Sequence, residues 1–292
     1  MDSEARLLAS VGAELGEGPV WSARDKALWF VDIKAPCVYR YDPASHALDR
    51  FDAPSHVGWI LPAQDGLWVA GLAKGLHRFD PRDGSFTLMN GIEADLPDNR
   101  LNDAAVDPAG RIWFGSMDNR EVHPTGHIYQ WHRGAVSRTA VPPVVITNGP
   151  AISPDGRTAY LVDTLGLSIA AHPIGLDGTI GAGRPFLKFD ASKGYPDGAI
   201  CDAGGGVWVG FYGGWAARRF APDGTMTDEV RFPVSNVTKI ALGGDDGRTA
   251  FATTARQGLS AERLASQPLA GDIFTFRTDI GGIPVMPVSL DL

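Results

Sequence analysis

One design recurs six times along the chain and dictates its fold class. In VDPAGRIWFGSM, residues 106–117, a polar turn built on Asp, Pro and Gly runs into a short strand of aromatic and β-branched residues. The same order appears in WSARDKALWFVDI, PAQDGLWVAGL, ISPDGRTAYLVDT, CDAGGGVWVGFY and LGGDDGRTAFATTA. The matching aromatic positions are Trp29, Trp68, Trp113, Tyr160, Trp208 and Phe251. They are spaced by roughly 40 to 48 residues, the period of a propeller blade. A further strand follows most copies, as in CVYRYDP, GLHRFDP, GHIYQWH and GDIFTFR, with apolar and polar residues alternating at period two. One blade cannot bury both its faces alone, so the blades must stack around an axis. The expectation is an all-β, six-bladed β-propeller with four antiparallel strands per blade, formed as one domain over residues 1–292.

Two local expectations complete this frame. Residues 258–268, GLSAERLASQP, read as a short helix capped by Ser260, with Glu262 and Arg263 in its first turn, inserted in the last blade. The N-terminal strand near residues 6–11 is expected to pair with residues 285–290 and close the ring.

Composition removes several functional classes. A net charge of -8 repels phosphate backbones, so nucleic acid is not the expected partner. No stretch approaches the roughly 20 apolar residues of a membrane-spanning helix. The beginning, MDSEARLLASVGAELGEGP, lacks the apolar core of a signal peptide. Cys37 and Cys201 form no CxxC pair and suit reduced, buried thiols. The chain is therefore expected in the cytoplasm, as a monomer or weak homo-oligomer. No G-x-S-x-G elbow occurs, which argues against a serine esterase.

The chemistry gathers at one phase of the repeat. Eleven or twelve residues before five of the aromatic positions lie Glu17, His56, Asn102, Asn148 and Asp197. The sixth repeat has a longer gap and offers Asn236. Equivalent positions in a closed ring converge on the axis, so these polar groups meet at one mouth of the channel. Glu17, Asn148 and Asp197 are each followed by Gly, which permits unusual backbone angles and removes bulk. Asp-Gly and Asn-Gly are also common turn dipeptides, so each residue singly fits a turn as well as a ligand. Taken together they form an all-oxygen donor set suited to a hard or borderline divalent cation.

LGEGPVW, RLNDAAVDPAGRIWFGSM, TNGPAISPDGRTAY, YPDGAICD and TTARQGLS, in this order, resemble the regucalcin, gluconolactonase and luciferin-regenerating family along nearly the whole chain. Within it, NVTK and the TTARQGLS…PLAG stretch look most like bacterial sugar lactonases of the xylonolactonase kind. The resemblance implies a single ion (calcium, zinc, manganese or ferrous iron) held by Glu17, Asn148 and Asp197, with Arg100 and Asn102 at the substrate. Some animal members carry a substrate-touching carboxylate where this chain has Arg120, and Asp118 or Glu121 stands nearby to replace it. The expected reaction is metal-dependent hydrolysis of an aldonolactone such as xylonolactone. The ion polarises the carbonyl, and Asp197 or a water on the ion serves as base. His56 and Trp59 are expected in the pocket wall. The rival readings are a non-catalytic propeller, acting as a metal buffer or protein platform, and a related propeller esterase.

Overall fold

The computed structural model describes residues 2–290. Six four-stranded antiparallel sheets make six blades. Their innermost strands are Gly16–Ser22, Val57–Pro62, Asn99–Val106, Thr147–Ile152, Tyr195–Cys201 and Val237–Gly243. Each packs on the innermost strand of the next blade, and the sixth packs on the first, so they enclose a central channel.

The aromatic repeat explains the stacking. Trp29, Trp68, Trp113, Tyr160, Trp208 and Phe251 all lie on the second strand of their blade, and all are buried. Trp29 meets Trp68 of the next blade at 4.5 Å between ring centroids. Trp21 of blade one stacks on Phe251 of blade six at 5.2 Å. Each such ring removes about 150–250 Å² from water, so these contacts supply much of the force between blades.

Blade six closes the ring differently from expectation. Its outer strand is Arg6–Ala9, which pairs with Ile273–Arg277 and not with residues 285–290. The alternation of IFTFR leaves an edge that needs a partner, whereas Pro284 and Pro287 lack the N–H groups that a ladder requires. The C-terminal segment instead crosses the far end of the channel. Ala203 N donates to Gly281 O at 2.9 Å, and Val288 N donates to Pro62 O at 2.9 Å. A mostly apolar cavity of about 290 Å³ lies beneath this strap, lined among others by Leu61, Ile152, Pro284 and Met286. The expected helix is present as Ala261–Ser266, between strands of blade six, with Ser260 accepting from Arg263 N at 3.3 Å.

No helix among the described residues is long and apolar enough to cross a membrane.

Candidate functional site

Every innermost strand breaks register near its start. The breaks fall at Glu17/Val20, Val57/Trp59, Leu101/Ala104, Asn148/Ala151, Pro196/Ala199 and Val237/Ile240. A bulge bends the strand and re-aims its side chains. Six bulges around one axis therefore turn polar groups toward the channel where a regular strand would alternate them away. Glu17 and Asn148 are the last paired residues before their bulges, while Asn102 and Asp197 lie within theirs. Gly18 and Gly149 follow with φ of 53° and 71°, a region that strongly favours glycine.

The side chains form a connected set. Asn102 Nδ2 donates to Asn148 Oδ1 at 3.1 Å and to Thr147 O at 2.7 Å. Asn148 Nδ2 donates to Thr164 Oγ1 at 2.9 Å, which fixes the amide with its oxygen turned away from Thr164. Arg100 Nη1 donates to Asn102 Oδ1 at 2.6 Å. Asn119 Oδ1 accepts from both Arg100 Nε, at 3.1 Å, and Lys34 Nζ, at 2.9 Å.

Two carboxylates lie at this site with few donors. Among the described residues, Glu17 accepts only from Gly18 N, at 2.7 Å. Asp197, 8% exposed, has no hydrogen-bond donor among the described residues. Burial, and then the nearby Asp103 carboxylate, push Glu17 up to about 8. Burial, then Glu17 and Asp103, hold Asp197 well above the usual carboxylate range. Buried anions that repel one another and lack donors are relieved by a cation. The donor chemistry thus fits a hard divalent ion held by Glu17, Asn148 and Asp197. No group of three His, Cys, Asp or Glu side chains poised around one ion occurs among the described residues, so an amide must complete any such set.

Two residues of this cluster carry no role in the sequence reading. Asp103 and Lys239 occupy the bulges of blades three and six, on opposite sides of the ring. Lys239 Nζ lies 2.5 Å from Asp103 Oδ1, with both side chains buried. Asp103 Oδ2 also accepts from Gly149 N at 2.9 Å. RLND and NVTK contain both residues, but nothing in either stretch signals that they pair.

Other expected residues fall elsewhere. Asp118, 1% exposed, accepts from the backbone N–H groups of Arg120, Val122 and His123, so its carboxylate holds a turn. Arg120 pairs with Asp98 at 3.1 Å. Glu121 is exposed, adopts the left-handed φ of 60°, and interacts electrostatically with Arg100 and Lys34. Trp59 is a core residue rather than pocket wall: it is buried against Gly71 and 5.9 Å from Phe114. His56 is half-buried, and burial followed by Lys34 and Arg100 lowers its pKa. Asn236 spends its oxygen on Gly213 N and Ser235 Oγ and its nitrogen on Gln257 O, bracing loops.

A family model described as the SMP-30/Gluconolactonase/LRE-like region matches residues 15–256. L-arabinolactonase of Azospirillum brasilense is 35% identical over 284 residues, covering 96% of this chain and 94% of that protein. 6-Deoxy-6-sulfogluconolactonase of Pseudomonas putida is 32% identical over 283 residues, covering 97% of each. The crystal structure of a calcium-binding protein, regucalcin, from Agrobacterium tumefaciens is similar with a TM-score of 0.93 at 28% identity, over 97% of this chain and 96% of that one. With its bulge-borne acids and amides at one channel mouth and a match of this length, the chain belongs to the SMP-30/gluconolactonase/LRE-like family.

Proposed function

We propose that this protein hydrolyses a sugar lactone to its aldonic acid, using one divalent cation held by Glu17, Asn148 and Asp197. The observation that carries the reading is the pair of buried carboxylates, Glu17 and Asp197, short of donors beside an oriented amide. Relatives named as lactonases of arabinose-derived and sulfogluconic substrates give the substrate class. A pentono- or hexonolactone such as xylonolactone is the preferred candidate, and calcium, zinc, manganese or ferrous iron the candidate ion.

Bound there, the ion supplies Lewis-acid polarisation of the lactone carbonyl. The chain's own residues do the rest. Asp197 accepts the proton of the attacking water. Arg100 has Nη1 and Nε occupied by Leu101, Asn102 and Asn119, which leaves Nη2 for the sugar hydroxyls. Asn102 holds the Asn148 amide and the guanidinium in register. Of Asp118 and Glu121, it is Glu121, with Arg100 and Lys34 in its electrostatic reach, that takes the substrate-facing carboxylate role missing at Arg120. Cys37 and Cys201, free and buried, suit a reducing compartment such as the cytoplasm.

The test is an indicator assay of acid release from xylono-, arabinono-, galactono- and gluconolactones, with chelator-stripped and ion-restored protein. Accelerated release that stripping abolishes and the ion restores is the expected result. No acceleration on any lactone with any of the four ions would overturn the proposal.

A further inference from the structure

The ring holds three buried carboxylates near its axis, Glu17, Asp103 and Asp197, yet among the described residues only Asp103 has a cation in direct contact. That contact spans the channel, because Asp103 and Lys239 belong to opposite blades and lie 136 residues apart in sequence. The pair is also built into the backbone of the other two ligand strands. Asp103 Oδ2 accepts from Gly149 N, the residue after Asn148. The Lys239 stem lies against Gly198, the residue after Asp197, and a Cβ at that glycine would come within 2.6 Å of Lys239 Cβ and Cγ. Such a distance is sterically closed, so glycine at this place is what admits the lysine. The stem also lines the cavity under the C-terminal strap.

A third free carboxylate beside Glu17 and Asp197 would raise the charge of the ligand set, and charge count is one of the terms that tune the affinity of an oxygen site for a divalent ion. We propose that Lys239 is the site's internal counter-ion: by holding Asp103 it withholds the third carboxylate and confines the channel mouth to a single divalent cation. Lys239 and Asp103 are then positioning residues that act on the ion without touching substrate. The inference rests on the metal reading given above.

The two single variants are expected to move metal binding in opposite directions, which a merely structural role cannot do. Manganese is titrated calorimetrically into chelator-stripped protein, with affinity and stoichiometry read together. Wild type takes one ion per chain. Lys239→Met, which keeps the stem and removes the charge, binds manganese at least about tenfold tighter or takes a second ion. Asp103→Asn leaves the ammonium unpaired beside the ligands and weakens binding by about tenfold or more. The double variant returns toward wild type. If Lys239→Met does not fold, Asp103→Asn and the double variant carry the test: weakening by the first and recovery in the second support the proposal. Loss of affinity in both single variants, no change in either, or no recovery in the double variant overturns it. A wild-type protein that binds none of the candidate ions would instead defeat the metal reading itself.

Discussion

Asn102 donates its side-chain N–H to Asn148 Oδ1 at 3.1 Å, joining the bulges of blades three and four across their interface. Because Asn102 also accepts from Arg100, one amide orients both an expected metal ligand and an expected substrate contact. Asn102→Ala is predicted to lose about 1 kcal/mol at each end, weakening metal binding and raising KM by roughly five- to tenfold each. Calorimetry and steady-state kinetics check the two effects separately. A variant with wild-type metal affinity would show that Asn148 is oriented without this bond.

Asp197→Asn is predicted to abolish hydrolysis and weaken metal binding while leaving the fold intact. The stripped variant should melt at or above the temperature of stripped wild type, because the substitution removes a buried carboxylate that has no donor among the described residues. Wild-type turnover, or a clear fall in the melting temperature of the stripped protein, would contradict this.

Stripped protein should become less stable as pH rises. Glu17 is raised from 4.5 to about 8 by burial and by Asp103, and Asp197 is raised in the same direction by burial, Glu17 and Asp103. Between those values the folded chain keeps a proton that the unfolded chain releases. Stability is then highest at the acidic end of that window and declines as pH climbs toward about 8. Metal affinity runs the other way, since the ion requires ionised ligands. Melting temperatures of chelator-treated protein across this window, against ion-loaded protein, test the slope; a rise with pH in the stripped form would refute it.

Glu121 and Asp118 should separate function from stability. Glu121→Gln is expected to raise KM for the lactone several-fold, on the order of one hydrogen bond to a charged group, without moving the melting temperature. Asp118→Ala leaves three backbone N–H groups without their acceptor and should cost about 1–3 kcal/mol of stability. Kinetics and denaturant melts on both variants distinguish the roles.

Trp29→Ala opens a cavity at the interface of blades one and two, where the indole meets Trp68 at 4.5 Å. The predicted loss is about 3–5 kcal/mol, read from urea unfolding. A loss below about 1 kcal/mol would mean that the stacked rings are not the main interface contact.

The sequence by itself determined the blade. Six aromatic positions at a regular period, each behind a turn, specify second strands that must be buried between neighbours, and they are. It also located the polar phase, because the start of an innermost strand faces the axis whatever the residue. Tertiary structure decided the finer matters. Bulges placed Asn102 and Asp197 within the register break but Glu17 and Asn148 just before it; the spacing from the aromatic residue carries this one-residue offset, but only the bulges show that it leaves all four side chains at one mouth. The choice of Ile273–Arg277 over the proline-bearing C-terminus as partner for Arg6–Ala9 depended on which edge had N–H groups to offer. The Asp103–Lys239 pair exists only because ring closure sets blade three opposite blade six. Local patterns report which face of a strand is buried; which charges then neutralise one another across the channel is a property of the closed ring alone.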